Sequence, residues 1–170
     1  MHLRPAHTGD IDALERLEQQ FPSDRLSRAR FRYLLRQGHA DIRVCEHEHG
    51  VIGNAVVLYR RGTGIARLYS FVVHPDYRRR GIARLLLEAV EAEAGARGCR
   101  EIRLEVRPDN VAAIRFYRKT GFALAGSIGG FYEDGTAALR MNKRLLAPEE
   151  FSALSPPPRL PASGVPCPTA

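Results

Sequence analysis

The sequence predicts one domain of mixed α and β (α+β) structure, on the evidence of three patterns. Residues 101–107 alternate strictly between apolar and charged side chains, as a half-buried strand does. Residues 65–73 form a long apolar run that stops before Pro75, which is typical of a central strand. Residues 81–98 carry apolar side chains at helical spacing between two glycines. Helices and strands therefore alternate within one fold.

The other elements follow from the same signals. Strands are predicted at 2–6, 40–46, 51–59, 65–73, 101–107, 122–128 and 137–145. A first helix begins at a cap, Thr8 or Asp10, and ends at Pro22, with Ile11, Leu14, Leu17 and Phe21 on its apolar side. Further helices are predicted at 24–37, at 81–98 with Ile82, Leu85, Leu86, Ala89, Val90 and Ala94 inside, and at 111–119. The pattern thus contains about seven strands and four helices.

The chain of 170 residues, with 44% hydrophobic content, is long enough for one ordinary core. Residues 1–146 are expected to form this domain. Residues 147–170 are rich in proline and poor in core-forming side chains, which favours a disordered tail. The three cysteines have no spacing typical of a disulfide framework or a metal site, so reduced thiols and no metal are expected.

The formal net charge of +7 favours an anionic ligand or partner, either nucleic acid or a phosphorylated cofactor. No stretch approaches the roughly 20 apolar residues of a membrane span, so we expect a cytoplasmic protein without a membrane partner. No aromatic RNA-binding strand or recognition helix is evident, which argues against direct nucleic-acid binding.

The arginines concentrate in one short segment, residues 78–84, directly before a predicted helix. Positive side chains are unfavourable at a helix start, whose unpaired N–H groups already carry partial positive charge. They become favourable when an anion binds there, and Gly81 allows close approach of a phosphate to the backbone. The alternative is a solvated basic helix start. Neither GxxxxGK[ST] nor GxGxxG is present, so the ligand is not predicted to be a nucleoside triphosphate or a dinucleotide.

The segment Arg-Arg-Arg-Gly-Ile-Ala at 78–83 resembles the Q/R-x-x-G-x-G/A motif of the Gcn5-related N-acetyltransferases (GNAT). The strand end Phe-Val-Val-His-Pro before it, and Asn110, Phe116-Tyr117 and Gly121-Phe122 after it, extend the resemblance over residues 1–146. It implies a three-layer fold, with a mostly antiparallel sheet splayed where acetyl-CoA, the acetyl donor, binds. By this resemblance the cofactor-binding residues are Phe71, Val72, Val73, Arg78, Arg79, Arg80, Gly81, Ile82, Ala83, Arg84 and Asn110. Asn110 also fits a helix cap.

Acetyl transfer to an amine needs a base for the amine and an acid for the departing thiolate. Glu105 is the best base candidate from the residues, because Arg103 and Arg107 flank it on one strand face and favour its charged form. The alternative is a charge ladder on a solvated face. The stretch from Leu104 to Arg107, with Asn110 and Tyr117, is similar to the bacterial ribosomal-protein-alanine N-acetyltransferases. That resemblance implies Glu105 as proton acceptor and Tyr117 as proton donor.

The acceptor implied by this similarity is the N-terminal α-amino group of a protein, such as a ribosomal protein. The region around Phe21 departs from the tryptophan-containing stretch of those enzymes, and Phe131-Tyr132 matches their paired tyrosines in part. A small-molecule amine, such as a polyamine, an amino acid or an antibiotic, is the alternative acceptor. A coenzyme-A-binding protein without catalysis would keep the loop and not need Glu105 or Tyr117.

Overall fold

The computed structural model describes residues 1–21, 24–48 and 50–145, which form three layers, two of helices around one sheet. The seven strands are β1 (His2–Pro5), β2 (Ala40–His47), β3 (Gly50–Tyr59), β4 (Ile65–Val73), β5 (Glu101–Val106), β6 (Ala123–Ile128) and β7 (Ala138–Arg144). The four α-helices of the described residues are α1 (Ile11–Glu18), α2 (Arg28–Leu34), α3 (Ile82–Ala96) and α4 (Val111–Lys119). Short 3₁₀ turns occur at Thr8–Asp10 and Pro75–Tyr77. The predicted tail at 147–170 lies outside the described residues.

The strands lie in the order β1-β2-β3-β4-β5-β7-β6, and all neighbours are antiparallel except β4 and β5. The parallel pair holds only from Ile65 to Leu68 against residues 101–104. Beyond Leu68, β4 continues to Val73 with no described strand paired to it on this side, which opens the sheet. The predicted mostly antiparallel, splayed sheet is therefore confirmed.

A β-bulge lies at the start of this gap. The pairing of β3 with β4 shifts at Val56 and Val57, which face Ser70 and Leu68, so that Tyr69 is the extra residue. A bulge bends its strand and increases the local twist. The bend carries the second half of β4 away from β5 and so creates the gap.

Two hydrophobic clusters hold the layers together, one on each face of the sheet. Helices α3 and α4 cover one face, where Leu86, Val90 and Tyr117 pack on buried strand residues such as Leu104. Helices α1 and α2 cover the other face, mainly over β2 to β4. The face of β5 and β7 that points toward the α1 side carries charged side chains and lies outside that second cluster.

Three helix predictions need correction. Helix α1 ends at Glu18, so Phe21 lies beyond it, and α2 begins only at Arg28, where the Ser27 hydroxyl accepts a hydrogen bond from the Arg30 N–H. In α3, Leu85 is 40% exposed whereas Leu87 is 2% exposed, the reverse of the predicted assignment. Alanines on both sides of this helix leave its apolar stripe ambiguous in sequence, and the position of the sheet decides which leucine is buried.

Within the described part of the chain, no helix is long and apolar enough to cross a membrane. Cys45 and Cys99 are free thiols, and burial raises the pKa of both. They pack as small apolar side chains.

Candidate active site

The gap between β4 and β5 exposes backbone that a sheet would ordinarily pair. Phe71, Val72 and Val73 pair with β3 on one side, opposite Ala55, Asn54 and Gly53. On the β5 side, the described strands leave these three residues without a ladder partner. Alternate residues of this strand edge point their N–H and C=O groups outward, where they can bind an extended, amide-containing ligand; the Val73 carbonyl also accepts from Arg78 Nε at 3.4 Å.

The loop after β4 holds a second set of unpaired backbone donors, at the N-terminus of α3. Gly81 is the N-cap residue and adopts a left-handed conformation with φ 80°, and no side chain caps the first turn. Arg79 is also left-handed, with φ 62°, which costs a non-glycine residue about 1 kcal/mol. Consecutive N–H groups in such a turn point toward a common anion. The predicted helix start at this glycine is confirmed.

The arginines of this loop divide into two groups. Arg78 donates to the Val73 carbonyl at 3.4 Å and stacks over Phe21 at 5.4 Å, so its side chain turns toward the α1–α2 connection. Arg84 pairs with Glu88 one turn along the exposed side of α3, at 2.9 Å. Arg79 and Arg80 are exposed and make no ion pair among the described residues, although Arg80 lies over Tyr77 at 5.2 Å. These two guanidiniums are the ones available to an anion at the helix start.

Glu105 lies on β5 at the other side of the gap, on the face that α3 and α4 do not cover. Its side chain is 5% exposed and accepts hydrogen bonds from two arginines. Arg67 Nε on β4 lies 2.8 Å from one carboxylate oxygen, and Arg140 Nη2 on β7 lies 3.2 Å from the other. One carboxylate is thus shared by two guanidiniums from the neighbouring strands.

This arrangement corrects the expected role of the flanking arginines. Arg103 pairs with Glu101 at 3.1 Å, and Arg107 pairs with Asp24 at 2.7 Å and Asp134 at 2.9 Å. Neighbours at i±2 share a strand face but stand about 7 Å apart, whereas residues on adjacent strands lie about 5 Å apart. The partners of Glu105 are therefore cross-strand.

Arg107 joins two loops over the end of β5. Asp24 belongs to the connection between α1 and α2, and Asp134 to the connection between β6 and β7, while the Arg107 guanidinium also lies 4.0 Å from the centre of the Tyr132 ring. Hydrogen bonds from Thr136, with a further contribution from Arg107, lower the pKa of Asp134 to about 2. The two connections that border the open end of the gap are thereby held together.

Tyr117 lies on α4, against the opposite side of β4. Its ring contacts Phe71 at 6.3 Å, Phe116 at 5.5 Å and Phe122 at 5.4 Å, measured between ring centres. Burial raises its pKa well above the ordinary value, so the hydroxyl keeps its proton at neutral pH. Asn110 caps the same helix, because its side-chain oxygen accepts from the Ala113 N–H at 3.2 Å.

A buried polar cluster beneath α1 also borders β4. The Glu18 carboxylate is 3% exposed and accepts from the Leu26 N–H at 3.1 Å and the Ser70 hydroxyl at 3.0 Å. Burial raises the pKa of Glu18; its two hydrogen bonds and the nearby Asn54 amide oppose the rise without cancelling it. Neither polar atom of that Asn54 amide completes a hydrogen bond of good geometry. Glu18 thus ties the start of the α2 region to the residue that follows the bulge.

Glu18 makes protein stability depend on pH. Its pKa in the folded state is higher than in the unfolded chain, so folding favours the protonated form, and ionisation costs stability as pH rises from about 4.5 through the raised value. The wild-type free energy of unfolding should therefore fall relative to Glu18→Gln over this range. Urea unfolding at a series of pH values measures the difference. Glu15→Gln, on the same helix, is the control, and a wild-type-to-Glu18→Gln difference that stays constant with pH would contradict the prediction.

Sequence reasoning missed Arg67, Arg140 and Glu18. Arg67 is the single charged residue within the apolar strand 65–73, a signal that could have identified it. Arg140 lies beside a residue distant in sequence, and no local pattern predicts that contact. Within the described residues, no group of His, Cys, Asp and Glu side chains is arranged to bind a metal ion.

Comparison with known proteins agrees with this geometry. Residues 11–122 match the acetyltransferase (GNAT) family. An acetyltransferase of Sodalis glossinidius is 37% identical over 108 residues, which cover 64% of this chain and 68% of that protein. Among solved structures, the ribosomal-protein-S18-alanine N-acetyltransferase of Escherichia coli is similar, with a TM-score of 0.76, 28% identity, and coverage of 87% of this chain and 96% of that one.

Ard1 from Thermoplasma volcanium is similar to the same extent, with a TM-score of 0.78, 28% identity, and coverage of 85% and 97% of the two chains. Members of this family generally transfer an acetyl group from acetyl-CoA to an amine. The family match spans both the splayed strand and the loop at Gly81, and the fold has the family's sheet. The chain is an N-acetyltransferase and belongs to the GNAT acetyltransferase family.

Proposed function

We propose that this enzyme transfers the acetyl group of acetyl-CoA to the N-terminal α-amino group of a protein, such as a ribosomal protein. One observation carries the proposal: Glu105 and Tyr117 approach β4 from opposite faces where it separates from β5. Glu105 is linked to the strand through Arg67, and Tyr117 packs on Phe71. A proton acceptor and a proton donor thus flank one gap.

The residues at the gap fit the donor. The free backbone edge of Phe71 to Val73 suits the amides of the pantetheine arm, and the uncapped start of α3 suits a pyrophosphate. Arg79 and Arg80 add positive charge there, and the backbone of residues 78–84 surrounds the same point. Asn110 caps α4, and we assign it a further contact with the cofactor by the family resemblance. Bound acetyl-CoA supplies the thioester that the amine attacks.

Glu105 acts as the base, directly or through one water molecule. Its carboxylate is held by Arg67 and Arg140 from two sides, so its position is defined before substrate binds. The same arginines create a positive field, which lowers the pKa of a nearby ammonium group and favours the neutral, nucleophilic amine. Tyr117 is protonated at neutral pH, and it donates its proton to the departing thiolate.

The positive charge of the two arginines beside Glu105 favours an α-amino group over lysine or a polyamine as the acceptor. An α-amino group with a pKa of about 7.7 to 8.0 is roughly one-tenth neutral at pH 7, whereas lysine at about 10.4 is almost fully protonated. A polycationic acceptor would also be repelled, because two arginines lie beside the one carboxylate. The named activity of the Escherichia coli enzyme, acetylation of an alanine of ribosomal protein S18, supports the same class of acceptor.

Release of coenzyme A thiol tests the acceptor. Peptides beginning with Ala, Ser or Met should be acetylated, and the same peptides with a blocked N-terminus and an internal lysine should not. A polyamine, an amino acid and an aminoglycoside form the competing panel. Turnover of a small amine with none of the free peptides would overturn the proposal and favour a small-molecule acetyltransferase.

The cofactor loop gives a second expected result. Replacing Arg79 and Arg80 by Gln should weaken acetyl-CoA binding about tenfold or more, because two charges near the phosphates are lost. Gly81→Ala should weaken it further, since φ 80° strains a residue with a Cβ atom. Calorimetry measures the affinity, and the double change Arg115→Gln with Arg118→Gln, on the exposed side of α4, is the charge-matched control. Unchanged affinity in both variants would contradict the assignment of this loop.

A further inference from the structure

A cleft of about 430 Å³ begins at Glu105 and runs along the uncovered face of the sheet. It follows β4 and β5 back toward Arg60 and Thr63, in the connection between β3 and β4. The cleft exists because α1 and α2 cover the sheet only as far as β4, so β5 and β7 present this face to solvent. Its position makes it the continuation of the site where an acceptor amine meets Glu105.

Positive charge dominates this cleft. Four arginines line it, Arg60, Arg67, Arg103 and Arg140, and Glu105 is its single acidic lining residue. Arg67 and Arg140 share Glu105 as their ion-pair partner. Arg103 pairs with Glu101, which does not line the cleft. Arg60 has no ion pair among the described residues. Four guanidiniums against two carboxylates leave an excess of two positive charges. The Arg103 Nε is also buried without a hydrogen-bond partner.

The spacing suits a short extended peptide. Arg103 lies two residues before Glu105 on the same strand face, about 7 Å away, and an extended chain advances by the same distance in two residues. Phe131 and Leu58 give the cleft an apolar part, and Arg67 lies over the Phe131 ring at 6.0 Å. A peptide whose amine is at Glu105 would therefore bring its next side chains to Arg103 and then toward Arg60.

We propose that the enzyme selects protein N-termini in which acidic side chains follow the first residue closely. This inference rests on the proposed function, since it assigns the residues after the acetylated amine. The acidic carboxylates bind Arg103 and Arg60 while the amine lies at Glu105. A basic residue at the second or third position is repelled by the excess positive charge of the cleft, which includes Arg60. Arg60 and Arg103 are the specificity-determining residues.

Three peptides that differ only at positions two and three test the selection: Asp-Asp, Ser-Ser and Lys-Lys after a common alanine. For the wild type, kcat/KM should be about tenfold or more higher for the acidic peptide than for the neutral one, and lowest for the basic one. The ratio of acidic to neutral should shrink when ionic strength rises from about 0.05 M to about 0.5 M, because Arg60 is exposed and Arg103 partly so.

Arg60→Gln and Arg103→Gln should each lower this ratio about fivefold. A ratio between two peptides cancels any loss of catalysis that both share, so a general disturbance of the site does not imitate the effect. Arg61→Gln is the matched control, since Arg61 neighbours Arg60 but does not line the cleft, and it should leave the ratio unchanged.

Equal turnover of acidic and neutral peptides would overturn the selection and leave the proposed function intact. If Arg61→Gln lowered the acidic-to-neutral ratio of kcat/KM as much as Arg60→Gln does, the selection would be overturned too, because general surface charge would then be responsible. Turnover of none of the peptides would overturn both proposals.

Discussion

Glu105→Gln is expected to lower kcat/KM by about 10²- to 10⁴-fold, the usual contribution of a positioned general base. Glutamine keeps the shape of the side chain and one acceptor oxygen, but it cannot take up a proton. Arg67 and Arg140 lose their shared ion-pair partner, yet both are more than a third exposed and can be hydrated, so the variant should stay folded.

Glu101→Gln is the matched control for this experiment. Glu101 lies on the same strand and the same face, and it too forms an ion pair with an arginine, Arg103. Steady-state kinetics with a peptide that is neutral at positions two and three, together with thermal unfolding of both variants, separates chemistry from stability. A rate for Glu105→Gln within a few-fold of that for Glu101→Gln would show that the carboxylate is structural.

Tyr117→Phe is expected to lower kcat about a hundredfold, with little change in the affinity for acetyl-CoA. The phenylalanine ring keeps the contacts with Phe71, Phe116 and Phe122, and the change removes the hydroxyl alone. Because the raised pKa keeps Tyr117 protonated at neutral pH, its lost role is that of a proton donor.

Measurement of kcat beside calorimetric affinity and thermal unfolding tests this role. Tyr33→Phe, which removes a hydroxyl from the exposed side of α2, is the control for loss of a tyrosine elsewhere. If Tyr117 served only in core packing, Tyr117→Phe would change the free energy of unfolding by about 1 kcal/mol and leave kcat intact. That outcome would remove the tyrosine from the proposed mechanism.

Local patterns predicted most of the fold, because they record which residues face the core. The alternation in 101–106 placed Glu105 on the face opposite Leu104, and the Asn110 cap was correct as predicted. Helix ends were less predictable. The first helix was predicted to reach Pro22 and the second to begin at Asp24, but α1 ends at Glu18 and α2 begins at Arg28, where the Leu26 N–H binds the Glu18 carboxylate.

The residues of the candidate site also divide into those that local sequence predicts and those that it does not. The segment from Arg78 to Arg84 is contiguous, so side-chain type and helix position alone are enough to predict an anion site there, and that site stays a prediction. The ion pairs around Glu105 join residues 38 and 35 positions apart in the chain. A local sequence pattern does not predict contacts between residues so far apart.

Sequence alone was sufficient for the α+β class, the order of elements and the helix start at Gly81, because each depends on neighbours within a few residues. The pairing of Glu105 with Arg67 and Arg140, the junction of two loops by Arg107 and the basic cleft beside β5 required the folded chain. Each of these depends on strand order and on where the helices stop covering the sheet, and both arise only when distant segments pack together.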